Sequence, residues 1–397
     1  MAAIQARRAA RDRGARCSIV ALDGAATIGA KILVAGGGRC NVTHDVVDAT
    51  AFAGSTQPAI RNVLRRFGVA ETIRFFADHN VPLKREATGK LFPVTDRAKT
   101  VLEALLRAAR ESGVALIHPW RVVDVSPTPV GFVLRGPAGT IEARRVILAT
   151  GGRSLPKSGS DGQGYELARR LGHTTTPRIF PGLVPLTLAD GCFVRGLAGV
   201  TLETNVTLHA ATGKTLRAFR GSTLCTHFGI SGPPVLDISR YWLEASLEDP
   251  GTHLCVDWWP QLAPLGIQEE LAKRGSAPVG AVLRSRLPER LAEALCREAG
   301  IDRDLSFDRL GREARRTLAK TVCSYRLPVT GDRGFTHAEV TAGGVPLSQT
   351  RLQTLESRVC PGLHLVGEIL DVDGRIGGFN FQWAWASGFV AGVAVGK

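Results

Sequence analysis

The segment 367–384 contains the residues whose types and spacing best suit ligand-binding chemistry. It reads Gly-Glu-Ile-Leu-Asp-Val-Asp-Gly-Arg-Ile-Gly-Gly-Phe-Asn-Phe-Gln-Trp-Ala, so acidic side chains follow a strand and a double glycine precedes a helix. Backbone N–H groups and the positive end of the helix dipole converge there on an anion or a carbonyl group. An ordinary, tightly packed strand–turn–helix has the same pattern, and this segment alone leaves both interpretations open.

A second glycine-rich segment, 31–43, reads Lys-Ile-Leu-Val-Ala-Gly-Gly-Gly-Arg-Cys-Asn-Val-Thr. Three consecutive glycines let backbone N–H groups approach a ligand closely, and Arg39 and Asn41 add side-chain donors. A simple turn is the alternative, because one glycine-rich loop is a weak signal. Cys40 could be a reactive thiol, although a free buried cysteine beside a turn is the more common case.

Asp23 ends a short apolar run, 17–22, that follows an alanine-rich helical segment and Gly14. A helix, a strand and an acidic residue in this order form the second half of a dinucleotide-binding unit, in which the acidic residue binds a ribose hydroxyl. Counting back about 20 residues to the expected glycine fingerprint passes the first residue of the chain. Asp23 could equally be a turn residue before Gly24.

Several enzyme classes lack their motifs in this sequence. Ser160 and Ser231 are not flanked by the glycine pair of a hydrolase elbow, and neither a His-Glu-x-x-His motif nor a Walker loop is present. The eight cysteines form no Cys-x-x-Cys pair. This spacing disfavours a structural zinc cluster or a secreted disulfide framework and favours a reducing compartment.

The candidate residues require a framework of parallel strands, helices and a separate strand-rich region. Helices are predicted over 59–80, 96–113 and 380–395, a β-meander over 121–150, and buried parallel strands over 146–150 and 363–367. From about 181 to 260, short strands with glycine and proline turns predict a small barrel or sandwich. Residues 264–320 have helical spacing, and strand character returns at 324–345.

Composition bounds the class of protein. The 397 residues suggest two or three domains, and 44% hydrophobic content excludes wholesale disorder. No apolar run reaches the length of about 18 residues that a transmembrane helix needs. The formal net charge of +14 suits an anionic cofactor. Because the arginines are dispersed along the chain, a nucleic-acid partner is not expected.

Five motifs in order carry a family resemblance. They are the segment 31–43 given above, Leu-Ala-Thr-Gly-Gly-Arg-Ser-Leu-Pro-Lys-Ser-Gly-Ser-Asp-Gly-Gln-Gly-Tyr (148–165), Thr-His-Phe-Gly-Ile-Ser-Gly-Pro (226–233), Thr-Ala-Gly-Gly-Val (341–345) and the segment 367–384. Together they closely resemble the BaiN/RdsA-like (YhiN-like) family of NAD(P)/FAD-dependent oxidoreductases, which includes the aminoacetone-oxidase-like flavoproteins. The likeness spans nearly the whole chain.

The resemblance implies an α/β fold with a glutathione-reductase-like, Rossmann-type FAD-binding domain. In the family this domain is split in sequence by an inserted β-barrel domain and a small helical domain. The expected boundaries are 1–178 and 341–397 for the FAD-binding domain, 179–260 and 323–340 for the β-barrel domain, and 261–322 for the helical subdomain. These boundaries follow the composition shifts near 180, 260 and 340.

The resemblance also implies a set of cofactor-binding residues. In chain order these are Asp23, Lys31, Gly37, Gly38, Arg39, Cys40, Asn41, Val122, Thr150, Gly151, Gly367, Glu368, Asp373, Gly377, Gly378, Phe379 and Asn380. Asp23 matches the acidic residue on the adenosine ribose, and Val122 matches a backbone contact to adenine. The loop 37–41 passes the flavin, and Thr150 with Gly151 forms the second FAD motif.

The remaining roles lie near the C-terminus. Glu368 and Asp373 match the acidic strand end near the ribityl and pyrophosphate groups, and residues 378–380 match the helix start that faces the flavin pyrimidine ring. There the helix N-terminus would stabilise negative charge on reduced flavin. His44 stands where asparagine is common in the family, which leaves that contact open.

The first residues of the chain depart from the family pattern. The family begins with a strand and a Gly-Gly-Gly-x-Ala-Gly-Leu turn, and Met1 corresponds to a position just after that turn. Two explanations stay open: a natural start upstream of Met1, which we favour, or a truncated relative that lacks the cofactor. Without the central strand, two neighbouring strands would expose unpaired backbone groups, so poor stability is expected.

These observations predict an FAD-dependent oxidoreductase that passes a hydride or an electron pair through the flavin to or from a small-molecule substrate. NAD(P)H as electron donor is implied by the naming of the family alone. We assign no catalytic side chain and no metal site, and we expect a cytoplasmic protein with no membrane partner. A non-catalytic relative without FAD and an RNA-acting flavoprotein are the alternatives, and the segment 226–233 is expected to border the substrate.

Overall fold

A computed structural model describes residues 1–262, 264–273 and 275–397 of the chain. The backbone divides into two compact units. The first unit combines Met1–Pro181 with Glu339–Lys397, and the second unit is Gly182–Ala338.

The N-terminal part of the first unit contains six helices and most of the strands of that unit. The helices are α1 (Ala2–Asp12), α2 (Ala30–Gly38), α3 (Gln57–Leu64), α4 (Val69–Asp78), α5 (Ala98–Glu111) and α6 (Gln163–Arg170). The strands are β1 (Ile19–Leu22), β2 (Thr43–His44), β3 (Phe52–Gly54), β4 (Leu83–Arg85), β5 (Lys90–Pro93), β6 (Val114–Ile117), β7 (Asp124–Thr128), β8 (Gly131–Gly136), β9 (Gly139–Ala143) and β10 (Val146–Leu148). Strand β11 (Phe180–Gly182) follows at the end of this part.

The remaining elements complete the two units. The second unit contains β12 (Leu186–Leu188), β13 (Thr201–His209), β14 (Thr215–Thr226), β15 (Gly229–Ser231), α7 (Pro233–Glu248), β16 (His253–Asp257), α8 (Pro264–Lys273), α9 (Val279–Arg284), α10 (Glu289–Glu298), α11 (Arg312–Cys323), β17 (Tyr325–Leu327) and β18 (Val329–Asp332). The C-terminal part of the first unit contains β19 (Val340–Ala342), β20 (Thr350–Arg351), β21 (Glu356–Ser357), β22 (Leu363–Leu365), β23 (Val372–Gly374) and α12 (Phe379–Val395).

Two parallel strand pairs form the framework of the first unit. Strand β1 pairs with β6, with Ile19 opposite Val114, and β10 pairs with β22, with Val146 opposite Leu363. Strand β22 continues into the antiparallel strands β21 and β20. The buried apolar residues of β10 and β22 belong to the main core of this unit, as the continuous apolar runs predict for parallel strands covered on both faces.

Helix α12 lies in the interior of the first unit. It is apolar on all sides, and Trp383, Ala386 and Ala391 are buried in the main core, which is typical of a buried helix. Gly392 permits close contact with α1, since a Cβ there would lie 2.4 Å from the carbonyl oxygen of Ala2. The predicted helix 380–395 is therefore confirmed, and its small residues serve helix–helix packing.

The second unit is built on a seven-stranded antiparallel sheet in the order β17-β16-β13-β14-β15-β12-β18. Its first and last strands are separated in sequence by Pro328 alone, so the sheet must curl until its two ends lie close together. Helices α8–α11 contribute to the separate core of this unit. The predicted division into a β-barrel domain and a helical subdomain stays a prediction, and Ala263 and Arg274 of its helical segment lie outside the described residues.

Two local predictions differ from the structure. The helix predicted over 59–80 is two helices, α3 and α4, because Gly68 adopts an extended conformation between them. The first strand of the meander predicted over 121–150 begins at Asp124 rather than near residue 121. All eight cysteines are free thiols, and among the described residues we find no helix long and apolar enough to span a membrane.

Candidate functional site

The glycine run at the C-terminal end of α2 leaves the helical conformation and forms a left-handed turn beside the core. Gly36, Gly37 and Gly38 have φ values of 59°, 67° and 82°, a region that residues with a Cβ adopt only at a cost of about 1–2 kcal/mol each. A Cβ at Gly36 would lie 3.0 Å from the Phe92 ring, whereas a Cβ at Gly37 would meet nothing within 4 Å. The turn is therefore in close contact with the protein at Gly36, and it leaves open space beside Gly37.

The three residues after this turn have different surroundings. Arg39 donates to Glu86 at 2.6 Å and stacks over the Phe92 ring at 4.0 Å, so its guanidinium is held by the protein. Cys40 is fully buried, and burial raises the pKa of its thiol to about 12, so the thiol is protonated at neutral pH. Asn41 is 8% exposed, and its Oδ1 has no hydrogen-bond partner among the described residues.

The start of α12 approaches β2 very closely. Gly378 has a φ of 96°, and a Cβ there would lie 2.5 Å from the carbonyl carbon of Thr43, so glycine is required for this contact. The side chain of Asn380 turns back to β23, where Oδ1 accepts from the Gly374 N–H at 2.8 Å and Nδ2 donates to the Gly374 carbonyl at 2.9 Å. Asn380 therefore holds the turn before the helix, and its side chain is engaged within the protein.

A buried amide fixes α12 one turn further on. Gln382 is fully buried, its Oε1 accepts from the hydroxyls of Thr43 at 2.7 Å and Thr72 at 2.9 Å, and its Nε2 donates to the Phe67 carbonyl at 2.9 Å. Trp385 adds a bond from Nε1 to the Val42 carbonyl at 2.9 Å. These bonds fix the N-terminal end of α12 against the segment that follows the glycine turn.

His44 stacks on the first residue of α12. Its ring lies 4.9 Å from the ring of Phe379. Nδ1 lies 2.8 Å from a carboxylate oxygen of Asp45, and Nε2 lies 3.0 Å from the Thr88 carbonyl. Desolvation alone would raise the pKa of Asp45, but the hydrogen bond from Arg85 and the charges of Arg85 and His44 together outweigh it, so the pKa is lowered. Both nitrogens of His44 are occupied within the protein.

Lys31 and Glu368 meet in a network that joins four sequence motifs. Lys31 Nζ donates to Glu368 Oε2 at 2.6 Å and to Ser154 Oγ at 2.8 Å. Ser154 Oγ and the Thr341 N–H donate to Glu368 Oε1 at 2.8 Å and 3.0 Å. A Cβ at Gly152 would lie 2.3 Å from the Thr341 hydroxyl. The predicted residues Lys31 and Glu368 are thus brought into direct contact.

A second buried polar atom lies beside the Gly151 turn. Gly151 has a φ of 72°, and a Cβ there would lie 2.7 Å from Ser160 Oγ. Ser160 is 6% exposed, and its hydroxyl has no hydrogen-bond partner among the described residues. Thr150 is exposed, although one side of it lies close to α6, where a Cβ at Gly164 would lie 1.8 Å from its hydroxyl. Ser160 was not predicted as a site residue.

The loop that carries Ser160 reaches the end of β1. Gly159 approaches Ala25, with 3.5 Å between a Cβ at Gly159 and the Ala25 Cβ. Asp23 Oδ1 accepts from the Ala25 N–H at 2.8 Å, so the turn that sequence analysis kept as an alternative does form. Val122 was predicted to contact adenine through its backbone, and its carbonyl accepts from Gln163 Nε2 at 2.9 Å.

The predicted residues therefore gather in the first unit in two connected groups. One group contains the glycine turn, Asn41 and the start of α12. The other contains Lys31, Glu368 and the Gly151 turn, and Gly159 links it to the loop after Asp23. Gly367 is open, since a Cβ there would meet nothing within 4 Å. The sequence did not single out Ser154, Ser160, Thr341 or Gln382 as site residues, although all four lie in the quoted motifs.

Comparison with protein families identifies the class. Residues 1–394 match the family described as the HI0933-like protein Rossmann domain, and the chain belongs to this family. The match accords with the BaiN/RdsA-like resemblance of the sequence motifs. The chain is an enzyme of a flavoprotein oxidoreductase family with a Rossmann-type fold.

Two curated relatives illustrate the range of the family. The chain is 36% identical over 375 residues to a 3-dehydro-bile acid delta(4,6)-reductase of Clostridium scindens, covering 93% of this chain and 90% of the relative. It is 32% identical over 372 residues to a ribosomal RNA dihydrouridine synthase of Escherichia coli, with the same coverage. A mutant of FrdA from E. coli quinol fumarate reductase matches 100% of this chain and 68% of that chain with a TM-score of 0.50 and 15% identity, a likeness of fold.

Proposed function

We propose that the first unit binds FAD and that the enzyme reduces a carbon–carbon double bond conjugated to a carbonyl group. The observation that carries the proposal is the Asn41 Oδ1, which is buried without a partner next to three left-handed glycines. An unpaired buried acceptor is costly unless a ligand satisfies it. Such an atom beside a glycine turn is typical of a polar ligand site.

The polar groups and open glycine positions of this site fit a dinucleotide. Ser160 Oγ is a second buried polar atom without a partner, and Gly37 and Gly367 leave open space where a side chain would lie. Glu368 supplies a carboxylate whose orientation Lys31 and Ser154 fix. Carboxylates and exposed backbone N–H groups are the groups that bind ribose hydroxyls and pyrophosphate in dinucleotide sites.

FAD, when bound, supplies hydride transfer, and the side chains of this chain bind and orient it. The N-terminal end of the 17-residue helix α12 stabilises negative charge on a ligand placed there. The contact of Gly378 with Thr43 and the bonds of Gln382 keep that end rigid. The hydrogen bond from Lys31 orients the Glu368 carboxylate. We therefore assign to this chain positioning and charge stabilisation.

The reaction class comes from the chemistry that two relatives share. A delta(4,6)-reductase of a 3-dehydro bile acid acts on double bonds conjugated to a carbonyl group. A dihydrouridine synthase reduces the double bond of uracil, which is also conjugated to a carbonyl group. In both cases the substrate gains a hydride equivalent on one carbon and a proton on the other. NAD(P)H is the donor class that we propose, becoming NAD(P)⁺ while the proton comes from solvent.

The test is single-turnover reduction under anaerobic conditions. The purified enzyme is mixed with NADPH or NADH and either a 3-oxo-4-ene steroid or free uridine, and products are analysed by mass spectrometry. We expect a product heavier by two hydrogens from at least one conjugated substrate and none from an isolated alkene. Stoichiometric FAD without reduction of any conjugated double bond would contradict the reaction class. Absence of FAD would contradict the cofactor.

A second candidate function is the reduction of a uracil in RNA, in which the uracil supplies the conjugated double bond. Two curated relatives are named ribosomal RNA dihydrouridine synthases, from E. coli and Haemophilus influenzae. The observation in this chain that favours it is an arginine-lined concavity on the first unit. The same reduction assay separates the candidates when an oligouridylate replaces the free nucleoside, because only an RNA-acting enzyme prefers the polymer.

A further inference from the structure

A concavity on the first unit is lined by arginine and contains no carboxylate. Its volume is about 420 Å³, and its lining consists of Pro58, Arg61, Asn62, Arg65 and Arg66. This volume lies within the range of about 300–1,000 Å³ that is usual for ligand sites. We name this surface the α3 groove, since α3 and the two residues after it supply every lining residue.

The arginines of the α3 groove project from one side of the helix end. Arg61 and Arg65 are four residues apart, so their side chains are neighbours on a helical surface, and Arg66 follows directly. All three are exposed. The apolar residues of α3, Ile60, Val63 and Leu64, are buried in the main core. The exposed side of α3 is thus cationic and polar.

Few acidic side chains lie near the three guanidinium groups to neutralise their charge. Residues 49–70 contain no aspartate or glutamate. In the described residues, Arg61, Arg65 and Arg66 form no ion pair within 4.0 Å, and Arg66 donates to the Gln353 carbonyl at 3.5 Å. Asp48 is an acidic neighbour of Arg61. Hydrogen bonds from Thr50 and the charge of Arg61 lower its pKa, so its ionised carboxylate offsets part of the charge at Arg61. The three exposed guanidinium groups together keep a net positive charge.

Another arginine-lined concavity on the same unit is a weaker candidate. Its lining includes Arg7, Arg11 and Arg16. Arg7 donates to the Cys17 carbonyl at 3.0 Å, and Arg11 lies 3.9 Å from the Asp12 carboxylate. Two of its guanidiniums are therefore engaged. The α3 groove is the surface with the larger unneutralised charge.

We propose that the α3 groove binds the phosphodiester backbone of RNA. Arginine binds phosphate through planar, bidentate hydrogen bonds, and adjacent guanidiniums suit successive phosphates of one strand. An anionic membrane is less suitable, because a membrane-surface helix needs an exposed apolar face and that of α3 is buried. The choice of RNA over DNA rests on the proposed function, whose second candidate substrate is a uracil in RNA because two relatives are named ribosomal RNA dihydrouridine synthases. The dispersed arginines of the sequence had argued against such a partner.

The test is fluorescence anisotropy with a fluorescein-labelled 20-nucleotide oligouridylate, using the full chain at several salt concentrations. Each phosphate neutralised contributes about 0.7 to the salt slope of single-strand binding, so three guanidiniums contribute about two. We expect R61Q/R65Q/R66Q to weaken binding at least tenfold at low salt and to reduce the slope by about two. The matched control R286Q/R297Q/R316Q removes three exposed charges elsewhere and is expected to stay within twofold of the parent.

Four further measurements complete the test. Equal oligouridylate binding by the parent and R61Q/R65Q/R66Q overturns the proposal, as does binding of anionic phosphatidylglycerol vesicles in preference to the oligonucleotide. Circular dichroism of R61Q/R65Q/R66Q establishes that the variant is folded, and R61K/R65K/R66K is expected to retain most of the affinity. Reduction of free uridine is expected to be the same in the parent and in R61Q/R65Q/R66Q. Arginine-dependent RNA binding without any reduction would support the surface and contradict the proposed function.

Discussion

Replacement of Asn41 by leucine is expected to move the stability of the ligand-free chain and its affinity for FAD in opposite directions. Oδ1 of Asn41 is buried without a partner, and an unmet buried acceptor costs about 1–3 kcal/mol. Leucine has nearly the same shape and no polar atom. Asn41→Leu is therefore expected to leave the unfolding free energy of the ligand-free chain unchanged or to raise it by up to about 2 kcal/mol, roughly 4–8 °C in Tm for a domain of 150–250 residues.

The affinity for FAD is expected to fall in the same variant. A hydrogen bond that satisfies Asn41 in the complex contributes about 1–1.5 kcal/mol, so its loss raises the Kd roughly tenfold. Gln382→Leu is the matched control, because this buried amide already has three partners within the protein. Its replacement is expected to cost about 3 kcal/mol in the ligand-free chain.

Two measurements on the apo forms decide the outcome. Thermal unfolding followed by circular dichroism gives the stability, and quenching of FAD fluorescence gives the Kd. The reasoning is refuted if Asn41→Leu lowers the Tm as much as Gln382→Leu does while leaving the Kd unchanged. That result would make Asn41 a structural residue whose acceptor is satisfied by water.

Three further perturbations test the contacts in turn. Gly378→Ala is expected to lower the free energy of unfolding by more than about 2 kcal/mol, because backbone strain at positive φ adds to the overlap of the new Cβ with Thr43. Gly199→Ala is the control: Gly199 has a φ of 89° and open space around it, so its replacement measures the backbone strain alone in the same melting experiment. Lys31→Met and Glu368→Gln are each expected to weaken FAD binding about tenfold but to combine less than additively in a double-mutant cycle; additive losses would refute their coupling. Burial raises the pKa of Asp257 to about 6 in the folded chain, whereas the same carboxyl has a pKa of about 3.9 in the unfolded chain. As pH rises from about 4 to about 6, the unfolded chain loses this proton before the folded chain does, so the free energy of unfolding falls over this range. Asp257→Asn is expected to remove that part of the pH dependence of the Tm; an unchanged profile would contradict the assignment.

The elements that carry the site could be predicted because their signals are local. The apolar run before Asp23, the run 146–148 and the small-residue helix α12 each show their structure within a few residues. The break at Gly68 was missed, since the apolar periodicity continues across it and only the extended backbone of that residue separates α3 from α4.

The partners of the site residues could not be predicted from local patterns. Arg39 had been predicted as a ligand donor, and the structure engages it with Glu86, 47 residues away in sequence. Lys31 meets Glu368 across 337 residues. The orphaned atoms of Asn41 and Ser160 are properties of the folded interior. Such long-range pairs depend on how the two parts of the first unit fold together, and periodicity contains no information about them.

The distribution of charge on the surface of the folded chain also depends on its three-dimensional structure. Dispersed arginines in the sequence predicted no nucleic-acid partner, yet the helical spacing of Arg61 and Arg65 places them side by side. Which charges gather on the surface depends on which face of a helix the core covers. In α3 the face with Ile60 and Val63 is buried, so the face with the arginines is exposed.

The central claim is that this chain binds FAD in its first unit. The visible absorbance spectrum of the purified chain tests it most directly, together with the amount of FAD released on denaturation per chain. Our account predicts the two absorption bands of oxidised flavin and close to one FAD per chain, with lower occupancy in Asn41→Leu and in Glu368→Gln. A folded chain that is colourless as purified, and that stays colourless after incubation with excess FAD and removal of the unbound FAD, would contradict it.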